Sequence, residues 1–158
     1  LASGFCPVAQ LQAAGVNVAL GTDGAASNND LDMFAEMRTA ALLAKAVAGD
    51  ASALPALQAL RMATINGAKA LGLDSQIGSL EAGKCADMIA VRMDSLNSLP
   101  LYNPLSQLVY STASHQVSHV WVGTKLLVDG GTLTSIDVDA LRSNVQIWQQ
   151  RIQKDTLS

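Results

Sequence analysis

A carboxylate at the end of an apolar run is the residue best placed for chemistry in this sequence. Residues 16–23 read VNVALGTD, so Asp23 follows an apolar stretch and precedes a Gly-rich loop. Barrel and open-sheet enzymes place catalytic groups where a buried strand gives way to such a loop. A carboxylate there can ligate a metal cation and accept a proton from water that the cation polarises. The alternative, favoured by the local sequence alone, is a turn or helix-capping role.

The loop after Asp23 carries further polar side chains that could reach a ligand. Ser27 and Asn28 are candidate substrate-binding residues, because in barrel enzymes the loops that follow such strands surround the active site. The same two residues, with Asn29 and Asp30, are also suited to cap the helix that follows. Capping is the simpler interpretation, and both interpretations stay open on the sequence.

The histidines and cysteines do not indicate a second catalytic centre. His115 and His119 have the spacing that places two ligands on one face of a helix. They lead into a predicted strand and have no third ligand, so we expect surface or loop histidines. Cys6 and Cys85 lack a basic neighbour in sequence and are expected to be inert thiols. Two cysteines are also too few for a disulfide framework, which favours a reduced, cytoplasmic setting.

The elements around Asp23 are those of an α/β protein. The run at 16–20 is typical of a strand buried on both faces of a parallel sheet. A short helix is predicted at 7–14, and an amphipathic helix at about 31–48. Its apolar stripe comprises Phe34, Met37, Ala41, Ala44 and Ala48, widened by Leu42 and Leu43 so that much of its circumference should be covered. A further helix from Leu54 should be interrupted at 64–67, because Asn and Gly are poor in helix interiors.

From residue 77 the pattern changes to short strands punctuated by glycine. Strands are predicted at 87–91, 117–122 and 125–128, with a tight hairpin turn at Gly123–Thr124. Asn103-Pro104 predicts the start of a short helix, and a final helix is expected at 138–153, capped by Ser135 or Asp137. The later strands look antiparallel and half exposed.

The predicted strand at 16–23 has no partner of its own kind in the sequence. A parallel sheet is not built from one strand, and the antiparallel strands downstream could not serve as its neighbours. The sequence also begins without a methionine. We therefore expect that polypeptide before Leu1 completes the sheet.

Composition excludes several classes of function. Hydrophobic residues make up 49% and charged residues 15% of the 158 positions, which is typical of a folded chain with a large core. The net charge of −3 gives no basic footprint for nucleic acid. No apolar run approaches the roughly 18 residues of a membrane span, and no basic cluster suggests a membrane surface.

Several spaced motifs resemble the zinc amidohydrolase superfamily. The likeness is closest to the methylthioadenosine/S-adenosylhomocysteine deaminases and the related chlorohydrolase and triazine hydrolase group. GTDGAASNN at 21–29 resembles the last barrel strand and its loop, and ATINGAKALG at 63–72 resembles the helix after the barrel. GSLEAGKCAD at 78–87 and VWVGTKLLVDG at 120–130 are similar to the entry and closing hairpin of a small β-sandwich.

The resemblance implies an α/β fold: the C-terminal end of a (β/α)8 TIM barrel with strands of a small composite β-sandwich. The barrel part would span 1–76, the sandwich strands with a short helical insertion 77–134, and a C-terminal helix 135–158. Asp23 would ligate one zinc ion and shuttle a proton while an adenine-type nucleoside, methylthioadenosine or S-adenosylhomocysteine, is hydrolysed with release of ammonia. Family members commonly self-associate, so a homo-oligomer is expected.

The departures from the family pattern matter as much as the matches. The family's H-x-H pair, its two later histidine ligands and its glutamate proton donor have no counterpart here. A catalytic zinc needs about three protein ligands, so this chain by itself is expected to be inactive. Alternatives within the superfamily are a triazine chlorohydrolase or aminohydrolase and a guanine-type deaminase. A different class is a non-catalytic β-sandwich binding module, which would fold alone and hold no zinc.

Overall fold

A computed structural model of the protein describes residues 4–156. The helices are α1 (Val8–Ala13), α2 (Met33–Ala48), α3 (Ala56–Met62), α4 (Ile65–Ala70), α5 (Pro104–Tyr110) and α6 (Val138–Thr156). The strands are β1 (Met88–Val91), β2 (Val117–Val122), β3 (Lys125–Asp129) and β4 (Thr132–Leu133), and short 3-10 turns occupy Leu96–Ser98 and Ser114–Gln116. α1 to α4 therefore precede the first strand, and α5 lies between β1 and β2.

The helix α2 forms the centre of the core. Its N-cap is Asp32, whose carboxylate accepts hydrogen bonds from the amides of Phe34 and Ala35 at 2.8 and 3.3 Å. The predicted cap within 27–30 is therefore wrong, because the helix begins later than the polar cluster suggests. At the other end Gly49 adopts the left-handed conformation, with φ of 63°.

The apolar stripe of α2 is only partly covered within the described residues. The buried members are Phe34, Met37, Ala41 and Ala44, whereas Ala48 is exposed. Leu42 and Leu43 are 53% and 43% exposed, so the prediction that they would be covered is wrong for this chain. The covered face packs against Leu54, Ala59 and Met62 from the α3 region and Val109 from α5.

The helical break after α3 is shorter than predicted. It falls at Ala63–Thr64, and α4 resumes at Ile65 with Asn66 and Gly67 inside the helix. The predicted interruption through 64–67 is therefore wrong. A tertiary contact offers the reason: the Asn66 side-chain amide donates to the backbone carbonyl of Val18 at 2.9 Å, which gives this poor helix former a partner.

Residues 16–24 form no regular strand in the described structure, contrary to the sequence prediction. A strand is recognised by its ladder with a neighbouring strand, and here the neighbours are helical. The Leu20 amide donates to the carbonyl of Met62 at 3.0 Å. Val18 and Leu20 are partly buried against the core. The segment thus lies alongside α3 and α4 and ends at the exposed residue Asp23.

The sheet is antiparallel, with strand order β1-β2-β3-β4. Ile89 pairs with Val120, and Val122 pairs with Lys125 across the hairpin. Gly123 and Thr124 both have positive φ, 54° and 72°, as a type I′ turn requires. The predicted hairpin is confirmed, and the short β4 was not predicted.

The last two helices begin at the residues that the sequence indicates. The side-chain Oδ1 of Asn103 accepts a hydrogen bond from the amide of Ser106 at 3.1 Å at the start of α5. Asp137, rather than Ser135, caps α6 by accepting the amides of Asp139 and Ala140 at 3.0 and 2.9 Å. Within residues 4–156, the search for a helix with the length and apolarity of a membrane span gives none.

Candidate active-site loop

Asp23 lies exposed at the start of the loop that joins the 16–22 segment to α2. Its backbone is left-handed, with φ of 60°, a conformation that Asp and Asn tolerate better than most residues. The Gly24 amide donates to its Oδ1 at 2.7 Å. The turn that follows is closed by the amides of Ser27 and Asn28, which donate to the Gly24 carbonyl at 2.9 and 3.0 Å.

Two neighbours in this loop keep the Asp23 carboxyl ionised. Hydrogen bonding from the Ser27 hydroxyl, and then from the Gly24 amide, lowers the pKa of Asp23, and burial opposes them only weakly. The Ser27 hydroxyl also donates to the Gly24 carbonyl at 3.0 Å, so its single proton serves one acceptor at a time. Asp23 is thus a carboxylate with accessible oxygens, as a metal ligand or proton acceptor must be.

Asn28 ties the loop to α2. Its side-chain amide donates to the Thr22 carbonyl and to Glu36 Oε1, both at 2.9 Å. Its Oδ1 accepts the backbone amide of Asp30 at 3.0 Å. Glu36 is a residue that the sequence analysis did not single out. An acidic residue in the first turn of a helix is so common that its spacing from Asn28 carries little information.

The chemistry of Asp23 is compatible with one position in a zinc ligand set. A carboxylate oxygen is among the ligands that zinc accepts, and Asp23 is ionised and exposed. Among residues 4–156 no group of three or more His, Cys, Asp or Glu side chains is arranged to hold a metal ion. Two clefts lie elsewhere: the residues lining them, among them Val8 in one and Arg61 in the other, do not include Asp23.

The histidines do not assemble a second site in the described structure. His119 lies in β2, where its Nε2 is 3.3 Å from Asp129 Oδ1 and its ring stacks on Trp121 at 5.4 Å. His115 is exposed in the 3-10 turn before the strand. The two histidines therefore share no helix face. Cys6 and Cys85 are exposed and form no disulfide.

Comparison with known proteins decides the family. Residues 1–131, most of the sequence, match the amidohydrolase family. The chain belongs to the amidohydrolase family. The zinc amidohydrolase resemblance read from the spaced motifs is thereby confirmed.

Similar amidohydrolases carry one recurrent name. The chain is 56% identical over 152 residues to a 5-methylthioadenosine/S-adenosylhomocysteine deaminase of Teredinibacter turnerae, covering 96% of this chain and 34% of the relative. It is 52% identical over 158 residues to the protein of the same name from Saccharophagus degradans, covering all of this chain and 35% of the relative. The chain thus spans about a third of the length of the curated relatives it matches.

Solved structures show the same fold. An adenosine deaminase from Xanthomonas campestris with bound zinc superposes with a TM-score of 0.94 at 53% identity, over 98% of this chain and 35% of that one. An atrazine chlorohydrolase variant from Arthrobacter aurescens, solved with zinc and atraton, gives a TM-score of 0.84 at 29% identity, over 91% of this chain and 32% of that one. The predicted fold class, the end of an amidohydrolase barrel with strands of a small sandwich, is confirmed.

Proposed function

We propose that this chain is the C-terminal part of a zinc-dependent hydrolase that deaminates an adenine-type nucleoside, either methylthioadenosine or S-adenosylhomocysteine, with release of ammonia. The observation that carries the proposal is the match of nearly the whole chain, at 52–56% identity, to relatives named as deaminases of these compounds. The exposed, ionised carboxylate of Asp23 supports it, because it provides the kind of group such a reaction needs at the loop.

In this proposal Asp23 has two tasks at one carboxylate. It would be one ligand of a single zinc ion, whose other ligands come from outside this chain. When bound, zinc supplies the Lewis acidity that makes water a nucleophile at neutral pH. Asp23 would accept the proton that the attacking water loses and hand it on toward the departing amino group. The hydrogen bonds from Gly24 and Ser27 lower the pKa of Asp23, which favours the ionised form that a metal ligand requires.

Ser27 and Asn28, the two candidate substrate-binding residues, differ in which hydrogen-bonding groups remain available to a substrate. The Ser27 hydroxyl proton is already donated within the loop, but its oxygen is exposed at the turn and can still accept a hydrogen bond from a substrate. The Asn28 side chain already engages Thr22, Glu36 and Asp30, so a substrate contact would have to share those groups. We retain both as candidate substrate-binding residues, and Ser27 has the more accessible hydrogen-bonding group.

The experiment is an Asp23→Asn substitution in the complete protein that carries this chain. Asparagine keeps the size of the side chain but removes the charge and the proton acceptor, so we expect zinc content to fall and ammonia release from methylthioadenosine to drop at least about a hundredfold. The matched control is Asp30→Asn, an exposed carboxylate of the same loop. Full zinc content together with full turnover in the Asp23→Asn protein would refute the role of Asp23.

A second candidate is hydrolysis of a triazine. The superposition on an atrazine chlorohydrolase favours it, although the identity there is 29% against 53% for the adenosine deaminase. Chloride release from atrazine in place of ammonia release from methylthioadenosine would select this alternative. Ammonia release from guanine would select a guanine-type deaminase. A zinc-free, self-standing fold of residues 1–158 would select a binding module.

The remaining sequence predictions belong to the same proposal. The barrel would be completed by polypeptide before Leu1, and the division at 1–76, 77–134 and 135–158 stays a prediction. Asp23 would depend on that polypeptide for its fellow ligands, and this chain alone would be inactive. A homo-oligomer and a reducing, cytoplasmic setting are also part of the proposal, the second supported by the free thiols of Cys6 and Cys85.

A further inference from the structure

We infer that Glu36 is a positioning residue for the Asp23 loop, acting through Asn28 on the backbone carbonyl of Thr22. The inference rests on the proposed function, since it concerns how Asp23 is held for its role. Its basis is a continuous chain of hydrogen bonds from Glu36 Oε1 to the Asn28 amide nitrogen and from there to Thr22 O, each 2.9 Å long. Thr22 directly precedes Asp23.

The Glu36 carboxylate fixes which way the Asn28 amide faces. A carboxylate only accepts hydrogen bonds, so the NH₂ group of Asn28 must point at it. One proton then goes to Glu36 and the other to the Thr22 carbonyl, while Oδ1 accepts the Asp30 amide at 3.0 Å. The opposite rotamer would place Oδ1 against the carboxylate and lose all three hydrogen bonds. Both bonds of the NH₂ group are partly buried, where competition from water is reduced.

Glu36 is the rigid end of this relay, by which we mean the hydrogen bonds from Glu36 through Asn28 to Thr22. Glu36 lies in the first turn of α2, between Phe34 and Met37, which are 8% and 4% exposed in the core. The same end of α2 is held by its Asp32 cap. A side chain on a packed helix orients a loop more precisely than another loop residue could.

The other end of the relay acts on the conformation of Asp23. The Thr22 carbonyl belongs to the same peptide plane as the Asp23 amide, so holding that carbonyl restrains the rotation that sets φ of Asp23. Asp23 has φ of 60°, which L residues rarely adopt, and such a conformation persists only when the surroundings determine it. Without Glu36 the Asn28 amide keeps only its hydrogen bonds to Thr22 and Asp30, so its orientation is less firmly held and Asp23 can relax away from the direction in which it would meet the metal.

The variants are made in the complete protein and loaded with zinc. Glu36→Ala removes the acceptor, whereas Glu36→Gln keeps an amide oxygen that can accept from Asn28. Asn28→Asp removes both donors, and the double variant Asn28→Asp with Glu36→Gln restores a donor and an acceptor between positions 28 and 36 but none toward the Thr22 carbonyl. Asn29→Asp, at an exposed neighbour, is the matched control for the added charge.

Four quantities separate positioning from simple stabilisation: zinc affinity by competition with a chelator, kcat, KM and melting temperature. Outer-shell partners of metal ligands typically contribute about 10- to 100-fold in affinity or activity. We expect Glu36→Ala to lower zinc affinity and kcat by about 10- to 100-fold with KM changed by less than about threefold. Glu36→Gln should stay within about threefold of the original in both quantities. The double variant should recover melting temperature relative to Asn28→Asp but not zinc affinity.

Three results would overturn the inference. The first is a Glu36→Ala protein with unchanged zinc affinity and kcat. The second is a Glu36→Gln protein as impaired as Glu36→Ala, because the acceptor would then not be what matters. The third is recovery of zinc affinity in the double variant, because the effect would then not pass through Thr22. Should Glu36→Ala fail to fold, the Gln and double variants decide.

The proposed function fails separately from this inference. If Asp23→Asn keeps its zinc and its turnover, Asp23 has no metal role and the function proposed for it falls. If Asp23→Asn loses both while Glu36→Ala loses neither, the function stands and only the positioning role is refuted.

Discussion

One charged side chain binds backbone carbonyls both within α2 and in the loop after it. The ammonium of Lys45, in the last turn of α2, donates to the carbonyls of Ala53 at 2.7 Å, Leu54 at 3.1 Å and Ala41 at 3.3 Å. It also lies 5.6 Å from the centre of the Tyr110 ring. Lys45 therefore joins α2, the loop after it and α5 through one charged group.

Replacing Lys45 with methionine should destabilise the protein. The stem is conserved in length, but the carbonyls of the buried residues Ala53 and Leu54 lose their donor, which costs about 1–3 kcal/mol. Urea unfolding or the melting temperature of the complete protein measures this loss. Lys69→Met, at an exposed position of α4, is the control and should change stability by less than about 0.5 kcal/mol. Equal effects at both positions would contradict the role given to Lys45.

Gly78 is the glycine at which a side chain has no room. Its φ is +88°, and an added Cβ would lie 2.7 Å from Ala68 Cβ and 2.9 Å from Ile65 Cα. Gly78→Ala should therefore cost about 2–4 kcal/mol through strain and overpacking together. Gly72→Ala is the control, because its φ is +68° but nothing lies within 4 Å. It should show the strain alone, so equal losses of melting temperature would refute the steric explanation.

At the scale of elements, the first turns of α2 contact the segment that leads into β2. Asp32 caps α2 and is also hydrogen-bonded by Ser114, which lies in the turn before β2. Arg38, in the same helix, donates a hydrogen bond to the Thr112 carbonyl at 2.6 Å. The helix that carries Glu36 is thereby tied to the segment that leads into the sheet.

The Asp32 cap should make stability depend on acid pH. Burial alone would raise the pKa of Asp32, but the hydrogen bonds from Ser114, Phe34 and Ala35 outweigh it and lower that pKa below its usual value of 3.8. A carboxyl with a depressed folded pKa stabilises fully above its unfolded pKa and loses its contribution as pH falls through the folded value. Asp32→Ala should therefore cost about 1 kcal/mol at neutral pH and progressively less below about pH 4.

Melting temperatures of the Asp32 variants between pH 7 and pH 3 test this dependence. Asp32→Asn is the control, because asparagine also caps a helix but does not titrate here. The deficit of the Ala variant relative to the Asn variant should stay constant with pH. If the melting temperature of Asp32→Ala fell further below that of the original protein on acidification, the change would have the wrong sign. That result would contradict the direction assigned to the pKa of Asp32.

At the scale of the whole molecule, the helices present apolar surface that residues 4–156 do not cover. Leu42 of α2 is 53% and Leu57 of α3 is 51% exposed, and on α6 Leu141, Val145 and Trp148 are 48%, 57% and 60% exposed. Exposed apolar side chains in such number mark contact with further polypeptide or a liability to aggregate. The chain spans about a third of its relatives' length, which fits the first explanation.

Residues 1–158 produced alone should consequently bind an apolar dye and aggregate more readily than the complete protein. We expect retained far-UV circular dichroism with weak near-UV signals. Local capping and backbone preferences still form the helices, whereas part of their apolar surface has nothing to pack against. The complete protein at equal molar concentration is the control. A monomeric, dye-free sample with sharp cooperative melting would instead favour the self-standing module.

By itself, the sequence determined the elements whose causes lie within a few residues. Asn103-Pro104 starts α5, Asp137 caps α6 and Gly123–Thr124 makes the hairpin, each where predicted. The family could also be read from spaced motifs, and the position of Asp23 at the end of the 16–23 run predicts a metal ligand, which stays a prediction. Local backbone preferences and short motifs survive in any tertiary context, so they can be read one segment at a time.

Only the tertiary structure decided the features that depend on residues far apart in sequence. Asn66 lies within α4 although it is a poor helix former, because its side chain donates a hydrogen bond to the carbonyl of Val18, 48 positions away. The 16–23 run has the composition of a strand but lies against helices, because strand formation requires a neighbour that local composition does not supply. The link from Glu36 through Asn28 to Thr22 depends on where the core places α2 relative to the loop, and residue spacing does not contain that distance.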